Sequence, residues 1–241
     1  MLPFTPRMVV PELMDAPDLD AAAHERALKG LERINRASNA AATMLGPIVA
    51  LARREGLSRL RVLDVACGGG DVPIAMVQLA RRSGLMLDLT LLDRSGVALQ
   101  HAKASGRSAG IDVQTIVADF TQDTPQVSAD VVTNSLFLHH LDTAEQVTDV
   151  LRRLGGLAER LLAISDLRRS RIGLAAAWTG CRILTKSPIV HHDGPASVRA
   201  AWTAGELSAC AAAAGLDGAV LKQVWPWRML LTWQRSPRRE P

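Results

Sequence analysis

The stretch RVLDVACGGGD, Arg61 to Asp71, constrains the fold more than any other part of the chain. A short apolar run carries an aspartate near its end, three consecutive glycines follow, and a helical pattern starts at Asp71. In open parallel sheets, ligands bind at the carboxyl ends of strands, next to such turns. Glycine permits a positive φ and has no Cβ, so a ligand can lie against the backbone. The stretch therefore predicts a ligand-binding loop in an α/β protein.

Strand-like and helix-like segments alternate beyond this loop, which is the pattern of an α/β fold. Strand–helix units in series favour parallel pairing with right-handed crossovers. Two further strands lie close together near the end of the chain and predict an antiparallel hairpin at one sheet edge. The predicted strands are 61–65, 85–93, 111–119, 129–136, 160–166, 219–225 and 228–235.

Two segments lie outside this alternation. Residues 1–57 include two predicted helices between Leu19 and Gly56 and are predicted to form an N-terminal helical lid or extension. Residues 58–241 are predicted to form the core, with an insertion at about 167–200 that caps the substrate. The stretch RILTKSPIVHHDGP has few helix formers and two prolines, so we expect it to act as a lid together with the N-terminal helices.

The residues after the glycines exclude two kinds of phosphate site. A P-loop requires Gly-Lys-Ser/Thr, but Asp71, Val72 and Pro73 follow instead. The dinucleotide fingerprint G-x-G-x-x-G would start at Gly68 and finds Pro73 in place of its last glycine. A pyrophosphate would also lie beside the charge of Asp71.

A cationic nucleoside suits the same residues. S-adenosylmethionine (SAM) has no phosphate but carries an ammonium, a sulfonium and a ribose, and Asp64 suits its cationic methionine end. Asp93 ends the second strand, where it can accept hydrogen bonds from the ribose hydroxyls. Asp119 follows the third strand and can accept from the adenine amino group, with Phe120 packing beside the ring.

The motifs VLDVACGGG, LLDRS, ADF and VVTNSLFLHHLD, in this order, resemble those of class I SAM-dependent methyltransferases over about residues 60–235. The resemblance implies a Rossmann-like fold with a seven-stranded, mostly parallel sheet, an antiparallel last strand and a helical lid. The family usually has glycine where Ala66 stands, and alanine there should tighten the loop. The implied cofactor-binding residues are Asp64, Ala66, Cys67, Gly68, Gly70, Asp93, Arg94, Asp119, Phe120 and Asn134.

The motifs SLFLHHLD, SDLRRSR and SPIVHHDGP also resemble bacterial small-molecule methyltransferases of the quinone-biosynthesis type, including relatives associated with polyketide pathways. This implies an aromatic, phenolic or quinone-like acceptor, methylated at oxygen rather than carbon by an in-line displacement. A phenol has a pKa of about 10 and needs a general base, for which histidine is suited. We expect His139 to face the acceptor as the base and His140 to pack beside it, while His191 and His192 in the insertion are further candidates for the base.

Other side chains are candidates for acceptor contacts. Arg168 either recognises an acidic acceptor or faces water, and Arg33 and Arg36 either hold the SAM carboxylate or face water. The apolar residues Met44, Leu45, Trp178 and Ile183 either line an acceptor pocket or pack in the core, and packing in the core is the more usual role of such residues.

Several reaction and partner classes are disfavoured. The sequence NSLF lacks the prolines of base-amine methyltransferases, and Asp166-Leu167 replaces the Asp-Asn pair of metal-dependent catechol enzymes, so we predict no metal. A net charge of +4, without a basic stripe or an appended domain, predicts no nucleic-acid partner. The alternatives left open are an RNA- or protein-modifying methyltransferase, or a SAM-binding partner protein without turnover.

Cysteine usage and the N-terminal sequence bear on the compartment. The 3 cysteines are far apart, which argues against a disulfide scaffold or a zinc site. The N-terminus has prolines and acids where a signal peptide needs an apolar run, and no run approaches the ~20 apolar residues of a membrane span. We therefore predict a cytoplasmic protein without a membrane span, which is either a monomer or a homodimer through its N-terminal helices.

Overall fold

A seven-stranded sheet forms the centre of the protein. The computed structural model describes residues 6–16 and 18–235, so the predicted ranges 1–57 and 58–241 extend past the described residues at both ends. The strand order is β3-β2-β1-β4-β5-β7-β6, and β7 runs antiparallel to both β5 and β6. This confirms the predicted mostly parallel sheet with an antiparallel last strand. The strands are β1 Arg59–Val65, β2 Met86–Asp93, β3 Val113–Val117, β4 Ala129–Ser135, β5 Ala158–Leu167, β6 Val220–Val224 and β7 Arg228–Gln234.

Helices cover both faces of the sheet and its carboxyl-terminal edge. One buried cluster joins α2 and α3 to β1 and β2, and a second joins α5 and α8 to β4, β5 and β7. A smaller cluster packs α1 against α6 and α7. The helices are α1 Ala21–Ala37, α2 Ala40–Glu55, α3 Asp71–Arg82, α4 Gly96–Ser108, α5 Ala144–Leu157, α6 Arg171–Leu184, α7 Pro188–Ala200 and α8 Ala204–Ala213.

The second N-terminal helix, α2, belongs to the core of the protein. Met44 and Leu45 are part of the main core cluster, so the apolar face of α2 packs against the sheet. Of the two roles that the sequence left open for these residues, packing in the core is therefore the one they have; helical spacing alone does not say which surface an apolar face covers.

The insertion consists of two helices rather than an irregular lid. The Ser170 hydroxyl caps α6 by accepting from the Gly173 amide at 3.0 Å. Pro188 is the first residue of α7, where its fixed φ suits a helix and its missing N–H costs nothing. Pro195 lies within the same helix. The two prolines therefore do not prevent helix formation in this segment.

Strand order reverses between β1 and β4, and the glycine loop lies at this switch point. Ala66, Gly68 and Gly70 have φ values of +53°, +53° and +72°. The Cys67 amide donates to the Leu92 carbonyl at 3.1 Å, which fixes the loop to the end of β2. Ala66 is thus an L-residue held in a conformation that favours glycine.

We expect the Ala66→Gly variant to be slightly more stable than the wild type. Relief of the left-handed conformation gains about 1–2 kcal/mol, and the freer unfolded chain loses about 0.5–1 kcal/mol. The free energy of unfolding in urea should therefore rise by about 0.5–1 kcal/mol. The control Ala50→Gly, at an exposed position within α2, should lower it by about 1 kcal/mol. An equal loss in both variants would contradict the strain at Ala66.

Candidate active site

A cavity of about 1850 Å³ opens above the carboxyl ends of the strands. Its lining comes from the glycine loop, from the ends of β2 and β4, and from α1, α6, α7 and the N-terminal segment 9–14. Sites for one drug-sized ligand usually measure about 300–1,000 Å³. The cavity therefore has room for a cofactor and a second small molecule.

Asp64 lies at the end of β1 and lines the cavity although its surface is only 1% exposed. The Thr133 hydroxyl donates to its carboxylate at 2.5 Å. Burial, together with the charges of Asp71 and Asp93, raises the pKa of Asp64 to about 7 against the opposing effect of the Thr133 hydrogen bond. This carboxyl group is therefore placed to gain from a cationic ligand.

Asp93 ties the glycine loop to the start of α4. Its two carboxylate oxygens accept from the Gly68 amide and the Ser95 amide, each at 2.8 Å. An ideal Cβ built at Gly68 meets no heavy atom of the described residues within 4 Å, so the cavity is open beside this glycine. Ala66, Cys67, Gly68 and Arg94 also line the cavity, as the prediction requires of cofactor-binding residues.

Asp119 and Phe120 line the same cavity at the end of β3. One oxygen of Asp119 accepts from both the amide and the hydroxyl of Thr121, at 2.9 and 2.6 Å. The Phe120 ring is buried. The structure thus brings the acids of three successive strand ends to one wall of the cavity.

Two predicted cofactor residues lie behind this wall. Asn134 is fully buried, and its amide nitrogen donates to the Val65 carbonyl at 2.7 Å, which joins β4 to β1. A Cβ at Gly70 would approach Ala102 Cβ to 2.9 Å and Leu91 Cδ1 to 3.0 Å, so this glycine faces the core. Neither residue is among the described residues that line the cavity. Both shape the site from beneath it.

His139 forms the other polar centre of the cavity. It lies on a short 3-10 turn after β4, is 3% exposed, and places Nδ1 at 2.7 Å from Asp166 Oδ1. The His139 amide donates to the second oxygen of Asp166 at 3.1 Å. On the other side of the ring, Nε2 lies 3.6 Å from Glu12 Oε1. The imidazole is therefore held between two carboxylates.

These carboxylates set the protonation of His139. Burial alone would lower its pKa, but the charges and hydrogen bonds of Asp166 and Glu12 outweigh burial and raise the pKa to about 10. Burial raises the pKa of Glu12, but contacts with His139, His140 and Ser197 bring it down to about 2. The cluster therefore holds an imidazolium between two ionised acids at neutral pH.

His140 completes this cluster. Its Nε2 lies 3.8 Å from Glu12 Oε2, and its ring centroid lies 4.4 Å from that of His139. One ligand atom from each of Glu12, His139 and His140 falls within 4.8 Å of the others, a set that suits a divalent cation as well as a hydrogen-bonded cluster. Ser197 donates to Glu12, which gives this acid a third protein partner beside His139 and His140.

The other predicted acceptor residues point away from the cavity. The face of α7 that lines it carries Val190, Asp193 and Ser197 at helical spacing, so His191 and His192 lie on other faces. His191 Nε2 lies 2.8 Å from the Thr185 carbonyl oxygen, and His192 Nδ1 lies 2.8 Å from the Asp193 carboxylate.

Charged and aromatic candidates from α1 and the insertion also lie outside. Arg168 donates to the Gln223 side chain, and the Trp178 ring is 53% exposed beneath the guanidinium of Arg182. Ile183 is exposed, as are Arg33 and Arg36. Their side chains lie outside the cavity. Charge or hydrophobicity alone does not show which face of a helix turns toward a cavity.

Three polar residues at the site escaped the sequence analysis. Glu12 reaches His139 from the N-terminal segment, and Arg228 and Asn35 lie in the cavity wall. Asp166, which entered the sequence analysis only as an argument against a metal site, is the partner of His139. Its position at the end of a strand next to β4 was the available signal, whereas the N-terminal contacts depend on tertiary packing.

Comparison with known proteins relates part of the chain to a known family. Residues 62–156 match the family described as a methyltransferase domain. This part of the chain is therefore similar to a methyltransferase domain. A curated relative, a ubiquinone biosynthesis O-methyltransferase of Idiomarina loihiensis, is 40% identical over 88 residues, which are 36% of this chain and 34% of that protein. The chain thus aligns with only about a third of the length of this relative.

Solved structures share the fold of the methyltransferase domain. The SAM-dependent methyltransferase SibL gives a TM-score of 0.60 at 21% identity, covering 95% of this chain and 64% of that one. A magnesium protoporphyrin IX methyltransferase of Synechocystis, solved with bound S-adenosylhomocysteine (SAH), gives 0.55 at 16% identity over 90% of this chain and 100% of that one. At such identities the likeness establishes the fold and not the acceptor.

The unusual protonation of His139 is directly measurable. We expect its imidazole to stay protonated through neutral pH and to lose its proton only as the pH rises through about 10. Glu12→Gln removes one of the carboxylates that raise this pKa, so its titration should move to lower pH, while the glutamine oxygen can still accept from Ser197. Two-dimensional NMR of the 6 histidines, with His139→Gln to assign the resonance, measures both curves. Titration of His139 near its usual pKa would disprove the cluster.

Proposed function

We propose that the protein transfers the methyl group of SAM to a hydroxyl oxygen of a small aromatic, phenolic or quinol-like acceptor, with His139 as the general base. The observation that carries the proposal is the His139–Asp166 pair, which opens into the same cavity as the glycine loop and Asp93. The name of the curated relative, an O-methyltransferase, favours oxygen over carbon.

The wall formed by the strand ends suits the cofactor. SAM, when bound, supplies a methyl group on a sulfonium, which is open to in-line attack. Asp93 is proposed to accept from the ribose hydroxyls, Asp119 from the adenine amino group, and Asp64 to face the cationic methionine end. The open space beside Gly68 supports this assignment, since a side chain there would occupy the path of the ligand.

Apolar side chains in the same cavity suit an aromatic ring. Leu31 of α1, Phe137 and Leu141 around the 3-10 turn, and Val190 of α7 are among the residues that line it. Such walls exclude water and hold a flat acceptor by burial of its surface. Water exclusion also strengthens the charges that act on the acceptor hydroxyl.

The pKa of His139 determines when it can remove a phenolic proton. At neutral pH a pKa of about 10 keeps the imidazole protonated, so His139 has to lose this proton to solvent before it can act as the base. Once neutral, it matches a phenol, which also titrates at about 10, so transfer of the phenolic proton costs little free energy. The resulting imidazolium lies against Asp166, which also fixes the ring. His139 then has to lose the proton to solvent before the next turnover.

The test is a binding and transfer assay on the full chain. SAH should bind in calorimetry and NAD(H) should not, and transfer of labelled methyl should be found in a screen of phenols and quinols. His139→Gln should lower kcat by about 100-fold or more with SAH affinity unchanged, because the base contributes about 10²–10⁴. Loss of SAH affinity with kcat retained would place His139 in the cofactor site instead.

Treatment with a chelator distinguishes two roles for this cluster, in which His139 is either a general base or a metal ligand. We expect kcat to be unchanged by EDTA, whereas loss of activity that returns with Zn²⁺ would assign Glu12, His139 and His140 to a cation. Binding of SAH without methylation of any small molecule would favour the alternatives, an RNA- or protein-modifying enzyme or a SAM-binding partner protein.

Compartment and assembly remain predictions. No helix within residues 6–16 and 18–235 is both long and apolar enough to cross a membrane. Location in the cytoplasm, the absence of a nucleic-acid partner and a possible homodimer belong to the proposal.

Binding of SAH should be linked to the proton of Asp64. In the free protein its pKa is about 7, and an adjacent ammonium group would lower it, so binding below neutrality releases a proton. Affinity should therefore fall as the pH drops below about 7, and calorimetry in buffers of different ionisation enthalpy should detect the released proton. Asp64→Asn keeps an acceptor for Thr133 and should lose the pH dependence. The same pH dependence in this variant would assign the proton elsewhere.

A further inference from the structure

Arg228 is a buried cation without an ion-pair partner among the described residues. It is the first residue of β7, is 4% exposed and lines the cavity next to Leu167, the last residue of β5. Its Nη2 donates to Asn35 Oδ1 at 2.8 Å. Its Nη1 is buried and has no hydrogen-bond partner in the described chain. A buried charge left in this way costs several kcal/mol, which an anionic ligand would offset.

Asn35 joins this guanidinium to an acid. The same side-chain amide that accepts from Arg228 donates through Nδ2 to Asp71 Oδ2 at 2.9 Å. Asp71 is the first residue of α3, directly after the glycine loop, and also lines the cavity. A cationic donor and an anionic acceptor thus lie on either side of one amide group.

This pairing of charges matches an α-amino acid, which carries an ammonium and a carboxylate on the same carbon. Asp64 and Asp71 offer negative charge for the ammonium, and Arg228 offers two nitrogens in a planar fork for the carboxylate. The methionine end of SAM has this chemistry.

We propose that Arg228 binds the carboxylate of the methionine end of SAM through Nη1, with Asn35 holding the guanidinium in place. The inference rests on the proposed function, because it requires that the cavity takes SAM. A carboxylate on the acceptor is the other possible source. It is disfavoured because Asn35 joins Arg228 to Asp71, which directly follows the glycine loop.

The test measures the binding of three cofactor analogues and two acceptor analogues to two proteins by calorimetry. The cofactor analogues are SAH, decarboxylated SAH, which keeps the amine, and 5′-methylthioadenosine, which lacks the amino-acid part. The acceptor analogues are 4-hydroxybenzoate and phenol, which differ by a carboxylate. The proteins are the wild type and Arg228→Met, in which an apolar side chain of similar length replaces the buried charge. Thermal unfolding of both proteins reports whether the variant is folded.

We expect Arg228→Met to weaken SAH by about 10- to 100-fold, the value of a charge-assisted hydrogen bond. The variant should keep the dissociation constant of 5′-methylthioadenosine within about 2-fold of the wild-type value, because that ligand cannot reach Arg228. On the wild type, decarboxylated SAH should bind about 10- to 100-fold more weakly than SAH. This arm tests the proposal even if the variant does not fold.

Other results overturn the inference. Unchanged SAH affinity in the variant, or equal loss of SAH and 5′-methylthioadenosine, would show that Arg228 does not hold the carboxylate. Unchanged SAH affinity with weaker binding of 4-hydroxybenzoate, but not of phenol, would assign the arginine to the acceptor. Failure of both SAH and 5′-methylthioadenosine to bind the wild type would instead defeat the proposed function.

Discussion

The junction between β1 and β4 is the constraint on which the site depends. Their connections leave the sheet in opposite directions, so a crevice opens where the strands end. At the carboxyl ends of the two strands, side-chain hydrogen bonds cross this junction: the Thr133 hydroxyl donates to Asp64, and the Asn134 amide donates to the Val65 carbonyl. The first fixes the carboxylate that lines the cavity, and the second fixes the strand end from which the glycine loop departs. The glycine loop and the 3-10 turn that carries His139 are therefore held in fixed relative positions by the contact between β1 and β4.

Charges in the cavity are separated into two groups by this geometry. Asp64, Asp71 and Asp93 surround the glycine loop, and burial raises the pKa values of Asp64 and Asp71. Glu12, Asp166 and His139 form a group in which each acid is stabilised by the imidazolium. Like charges around the loop disfavour an anionic ligand there, in agreement with the failure of the dinucleotide and P-loop patterns. The same charges favour a ligand with a cationic end.

Features that depend on residues close together in the sequence could be predicted, and features that depend on distant residues could not. The strand, glycine loop and helix after Arg61 depend on neighbouring residues, and the order of strand ends follows from parallel topology, so Asp64, Asp93 and Asp119 were placed correctly along one wall. His191 and His192 were indistinguishable from His139 by type and pairing, because only the packed face of α7 shows that they point elsewhere.

Long-range packing decided the remainder. Met44 was equally compatible with a pocket and with the core until α2 was placed on the sheet. Glu12 and Arg228 are separated from His139 and Asn35 by most of the chain and carry no local pattern. A chemically ordinary arginine or glutamate becomes part of a site only through such contacts.

The position of Glu12 has a consequence for how the base acts. A general base needs a free direction toward the hydroxyl, and Asp166 already occupies Nδ1 of His139, so Nε2 is the atom left for the acceptor. In this structure Nε2 faces Glu12. Two hydrogen bonds hold the N-terminal segment that carries Glu12. Arg7 donates to the Leu141 carbonyl, and the Leu13 amide donates to the Asp193 carboxylate. An acceptor that reaches Nε2 therefore takes the place of Glu12, and loss of that carboxylate lowers the pKa of His139, so the imidazolium can release its proton and become the neutral base that the acceptor needs. The basicity of His139 and access to it are thus controlled by the same residue.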